Sequence, residues 1–221
     1  MWPAAAYYTV VLLLRTPAAM EIFVLLLMLA AFGAYQLKSK TQARRIALLG
    51  SHLGKYQVEK LMESLTEGYL RALGEKDPER QSQIWKLLAS SEVQLCEQFE
   101  RFAADFSAVA AGDARVSRLP VFLPEADRFF PANTFDMRQV LAVHAQGIIR
   151  AVKNAAGRSP RDKAYTLSAE LFLMQHSCHW YCRSRAVASA RMLARHQTPY
   201  QQLLQSVDAD TRTAYLAVIG R

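Results

Sequence analysis

The most chemically suggestive stretch of the chain is His176-Ser177-Cys178-His179-Trp180-Tyr181-Cys182. On a helix advancing about 100° per residue, Cys178, His179 and Cys182 fall within an arc of roughly 100°, with His176 one turn before His179. Two thiolates and an imidazole on one face could hold Zn²⁺ with a fourth ligand from elsewhere, or coordinate haem iron. Cys96 or His144 on another helix could complete that set. The spacing argues the other way, because structural zinc sites use CxxC knuckles in turns and CxxxC within a helix is a different pattern. Cysteine is also among the most buried residue types, and Leu173, Met174, Trp180 and Tyr181 mark the stretch as core-forming. Core packing without a cofactor is therefore the leading expectation, and a membrane-tethered zinc or haem protein is the alternative.

A second cluster is basic. Residues 150–196 carry nine Lys or Arg against only Asp162 and Glu170. Arg183, Arg191 and Arg195 share one half of a helix there, a surface suited to a protein partner or an anionic ligand. Residues 51–111 are net acidic, and Glu59, Glu63 and Glu67 form a stripe that offers an internal counterpart. Nucleic acid is disfavoured, since no aromatic–basic alternation accompanies the charge. No Gly-rich phosphate loop, GxSxG elbow or HExxH helix occurs, and no small-molecule substrate is suggested. An enzyme is thus the less favoured reading. Three cysteines, two of them four apart, make no disulfide framework and agree with a reducing compartment.

The elements that must position these residues read as helical throughout. Val58, Leu61, Met62, Leu65, Tyr69 and Leu73 repeat at i, i+3, i+4 and i+7 up to a stop at Gly74. Asp77-Pro78-Glu79 supplies an N-cap, a first-turn proline and a first-turn acid for a second helix that runs towards Gly112. Residues 113–133, with Pro120, Pro124 and Pro131, are expected as a loop. Its apolar Phe122, Phe129 and Phe130 are expected to fold back on the core, the alternative being a partner-docking loop. Asn133 or Thr134 can cap a third helix ending near Gly157. Ser159-Pro160 opens a stretch free of Gly and Pro to His196, which permits one helix of some 36 residues. Thr198-Pro199 and Asp208 or Asp210 start two short final helices. The expected fold is all-α: a membrane helix followed by an antiparallel multi-helix domain with long helices.

The membrane helix comes from Ile22–Tyr35, fourteen residues without a charge, extended back to Pro17 with only Glu21 intervening. About 20 residues suffice to cross a hydrocarbon core of roughly 30 Å. Residues 1–37 are read as the anchor, with 17–37 the main span, 38–50 as a basic juxtamembrane segment, and 51–221 as the helical soluble domain. Residues 4–14 are apolar but short; they form a second turned segment, an interfacial lead-in, or sequence preceding a start at Met20. A cleavable signal peptide is the rival, with Ala31-Phe32-Gly33 as its small-residue site. Lys38, Lys40, Arg44 and Arg45, with no acid among them, oppose translocation and suit anionic headgroups.

Together these features predict a single-pass protein of the bacterial inner membrane with a cytoplasmic helical domain. Its partners would be the bilayer and proteins of a larger assembly. An anchor followed by a helical domain is a layout shared with accessory components of secretion, conjugation or pilus machines.

Overall fold

A computed structural model describes residues 17–122 and 129–220, and is all-α apart from one small sheet. The chain divides into two compact units, Met1–Thr41 and Gln42–Arg221. The first holds most of helix α1 (Pro17–Leu53), whose residues Met20 to Phe32 are exposed on every side. Residues 17–37 at 1.5 Å per residue span roughly 30 Å, enough for a hydrocarbon core. Among the described residues α1 is the one helix long and apolar enough to cross a membrane. Residues 1–16 and 123–128, and with them the readings made for residues 4–14 and Pro124, lie outside the described residues.

The second unit starts with the last turns of α1 and continues into α2 (Val58–Gly74) and α3 (Pro78–Ser107). Between α1 and α2 the chain turns tightly: Gly54 N–H donates to Gly50 O at 2.8 Å. A Cβ at Gly54 would stand 2.9 Å from that carbonyl, so glycine is required there. Asp77 caps α3, accepting from the N–H groups of Glu79 and Arg80, as its sequence predicts. The α2–α3 pair is antiparallel: Gln81 donates to Ala72 O, while Glu92, further along α3, accepts from the Tyr69 hydroxyl at 2.7 Å. Phe99, Phe102 and Phe106 follow one another along the buried face of α3, and Phe106 meets Tyr181 edge-on at 5.8 Å.

A short helix α4 (Ala111–Ala114) leads into strand β1 (Arg115–Ser117), which pairs antiparallel with β2 (Thr134–Asp136). The expected uninterrupted loop over 113–133 is thus closed by a three-residue ladder with Val116 opposite Phe135. Both side chains are buried, and Trp180 donates to Ser117 O at 3.0 Å while its ring packs on Phe135. The third long helix, α5 (Met137–Lys153), starts at Asp136 rather than at Asn133 or Thr134, because Thr134 and Phe135 are held in the ladder.

The largest departure lies in residues 160–196. Instead of one long helix, the chain forms α6 (Pro160–Cys182) and α7 (Arg185–His196). Arg183 leaves helical geometry at φ −131°, ψ −90°, and Ser184 becomes the N-cap of α7, accepting from Val187 N–H at 3.3 Å. A second free N–H at this start, that of Ala186, donates to Pro120 O. Capping and a loop carbonyl together satisfy the α7 start, so no Gly or Pro is needed to break the helix. Helices α8 (Tyr200–Ser206) and α9 (Ala209–Ile219) complete the unit, the latter capped by Asp208. Helix α6 packs antiparallel on α5, with His144 against Ser177 and Gly147 against Glu170.

Candidate functional site

Ending α6 at Cys182 and restarting at Arg185 turns the His/Cys face of α6 toward the end of α1 and the start of α2. A cavity of about 300 Å³ lies there. Ile46, Leu49 and Leu53 of α1 form one wall, and Val58 and Met62 of α2 another. From α6 come Met174, Cys178 and Cys182, one turn apart on the same face. Gly50 also faces the space, and no heavy atom lies within 4 Å of where its Cβ would stand. The mouth is polar: His179, Arg183 and Arg191 are set against Glu59, the only carboxylate among the described lining residues.

His176, Cys178 and His179 each have a side-chain partner within the protein. His176 is fully buried; Nε2 meets Ser189 Oγ at 3.1 Å and the ring stacks on Tyr200 at 4.5 Å. Burial pushes its pKa down to about 3, keeping it neutral. Cys178 Sγ lies 3.8 Å from Met174 Sδ, and burial raises its thiol far above the usual range. Cys182 is half-buried, and burial raises its thiol to about 11, outweighing Arg45, Arg183 and Arg191. Both are therefore protonated at neutral pH and poor nucleophiles. His179 Nδ1 accepts from Arg191 Nη1 at 3.3 Å; burial, then Arg191 and Arg195, lower its pKa. Since arginine only donates, this bond fixes His179 as the neutral ring with hydrogen on Nε2.

Cys96 lies beside Glu100 on α3, and His144 is taken up by Ser177, so neither reaches toward Cys182 in the way a fourth ligand would. Among the described residues no three His, Cys, Asp or Glu side chains are grouped as a metal ion requires. Cys178, His179 and Cys182 thus do not form a three-ligand group for a zinc ion among the described residues.

Arg183 is half-buried, with Nη1 donating to Gln42 Oε1 at 2.5 Å. Arg191 and Arg195 are exposed. Lys163 of the basic segment pairs with the buried Glu92 of the acidic one, whereas Arg195 shares a groove with Glu59, Glu63 and Glu67 without an ion pair to them. Of the four juxtamembrane bases, Lys38 and Lys40 are exposed, whereas Arg44 pairs with Asp113 at 2.7 Å. Arg45 is folded into the protein: it donates to Arg115 O at 2.8 Å and Tyr181 O at 3.3 Å, and lies over the rings of Phe122 and Tyr181. Phe122 is half-buried under that guanidinium as a folded-back loop requires, but Phe129 and Phe130 are 73% and 51% exposed.

One buried cluster was not marked by sequence spacing. His144 Nε2 meets Ser177 Oγ at 2.9 Å, and Ser177 in turn reaches Leu173 O and the Tyr215 hydroxyl. A His–Ser pair is the composition of a nucleophilic site, but both residues are sealed from solvent and Ser177 spends its proton inside the protein. Burial pushes His144 down to about 3, so it packs as a neutral ring. Comparison with family models, curated proteins and solved structures finds no match for the chain.

Proposed function

We propose that this chain is a single-pass protein of the bacterial inner membrane whose cytoplasmic helical domain docks on protein partners in a larger membrane complex. Secretion, conjugation and pilus machines are the assemblies with accessory components of this layout. The observation that carries the reading is α1: an apolar surface exposed all round from Met20 to Phe32, continuous with a helix that enters a well-packed domain. A soluble protein does not leave such a surface in water. Lys38 and Lys40, exposed just beyond it, favour retention of that flank in the cytoplasm.

The domain offers contact surfaces rather than reactive groups. Its thiols are protonated, His144 and His176 are sealed, and Arg191 and Arg195 on α7 have no carboxylate ion pair among the described residues. Phe129 and Phe130 are exposed aromatics, the residue type that anchors protein interfaces. In-cell crosslinking followed by mild-detergent purification tests this. A defined set of membrane proteins should be captured with the native chain and lost with Phe129→Asp/Phe130→Asp, while the variant remains in the membrane fraction. Capture that is indifferent to these positions would remove the loop from the docking surface.

A further inference from the structure

The cavity at the end of α6 combines three features that recognise one kind of molecule. Its walls are aliphatic and thioether side chains from α1, α2 and α6. Its mouth carries two guanidiniums, Arg183 and Arg191, neither of which has a carboxylate partner among the described residues. Arg183 uses one donor on Gln42 and Arg191 one on the neutral His179 ring, so most of the fork of each remains available. Third, Gly50 lines the space, and no heavy atom lies within 4 Å of where its Cβ would stand.

We infer that this cavity binds the single chain of an amphipathic anion, a long-chain fatty carboxylate, with the chain among Leu49, Met62 and Met174 and the carboxylate at Arg183 and Arg191. Apolar burial supplies the affinity for the chain, and the mouth supplies orientation, as in ligand pockets generally. Guanidiniums suit a carboxylate because two N–H groups meet its two oxygens. Methionines 62 and 174, unbranched and polarizable, adapt to a flexible chain. A volume of about 300 Å³ is of the size of a single acyl chain. Glu59, the one carboxylate among the described lining residues, selects against a second anionic group.

The test uses the full chain in nanodiscs of neutral lipid and a palmitate analogue bearing a photoactivatable diazirine. Crosslinks mapped by mass spectrometry should fall on Met62, Met174 or their neighbours and be competed by palmitate, with hexadecanol at least roughly tenfold weaker for want of the charged hydrogen bonds. Gly50→Leu should abolish this labelling by filling the space. Arg183→Ala/Arg191→Ala should reduce it at least roughly tenfold, and because Arg191 is exposed and Arg183 half-buried this variant serves even if Gly50→Leu fails to fold. Crosslinks confined to residues 22–35, equal competition by hexadecanol, or cavity labelling undiminished in either folded variant would overturn the inference.

Discussion

Glu170 stands against Gly147 so closely that a single methyl group on the glycine would come within 2.4 Å of Glu170 Oε2 and 2.6 Å of Thr211 Oγ1. Through its other oxygen, Glu170 accepts from the main-chain N–H of Asp208 at 3.0 Å, the residue that caps α9. One buried carboxyl thus ties α6 to the start of α9 across a gap that only glycine leaves open on α5.

Gly147→Ala is accordingly expected to destabilise the domain by about 1–3 kcal/mol, the usual cost of overpacking. In an unobstructed helix the same change would stabilise by about 1 kcal/mol. Thermal or urea unfolding of the variant distinguishes the two by sign.

Burial raises Glu170 to about 7, against Thr211, Arg150 and the Asp208 N–H, which lower it. Its folded pKa exceeds the unfolded value, so the contribution to stability is full below about pH 4.5 and is lost as pH rises to about 7. Relative to Glu170→Gln, the native protein should lose up to about 3 kcal/mol across that window and run parallel to the variant above it. Unfolding of the two proteins at pH 5 and pH 8 checks this; parallel curves throughout would show a carboxyl of ordinary pKa.

His144 and His176 act with opposite sign. Both are pushed down to about 3 by burial, so below about pH 6.5 the unfolded chain takes up protons that the folded protein refuses, and stability falls with pH until about 3. His144→Gln removes one such group. The variant is expected to be less stable at pH 7 for loss of packing, and to have a shallower stability loss between pH 6.5 and 4.

Arg45 separates two roles that sequence alone merges. Because it donates to Arg115 O and Tyr181 O, Arg45→Ala should destabilise the folded domain by about 1–3 kcal/mol. Lys38→Ala and Lys40→Ala, at exposed positions, should leave the unfolding midpoint unchanged. Equal effects at all three would contradict the structural role of Arg45.

Much of the fold is legible because local chemistry dictates it. Asp77, Ser159 and Asp208 announce their helices as N-caps, and the spacing of Val58, Leu65 and Tyr69 marks the buried face of α2. What stays hidden is non-local. The β1–β2 ladder is three residues long, too short to show alternation, and it moves the α5 cap from Thr134 to Asp136. The α6–α7 break rests on Ser184 and on a carbonyl contributed by Pro120, more than sixty positions away. Of the cavity, Cys178, His179, Cys182, Arg183 and Arg191 stand out by residue type, but Ile46, Leu49 and Met62 look like any helix face until the chain brings them together.

The break itself is testable. Ser184→Ala should cost about 1 kcal/mol through loss of the α7 cap, and Ser184→Asp should restore it.

Membrane insertion with a cytoplasmic domain is the central claim, and paired fusions after Arg221 test it most directly: one reporter active only in the cytoplasm, the other only outside it, each assayed in membranes washed with alkaline carbonate. The account predicts activity of the cytoplasmic reporter alone, retained in the washed membranes and lost from them when Leu26 and Leu29 are both replaced by Arg. An active external reporter would show that the segment exports the domain, and a cytoplasmic reporter released by carbonate would show that α1 does not span the bilayer.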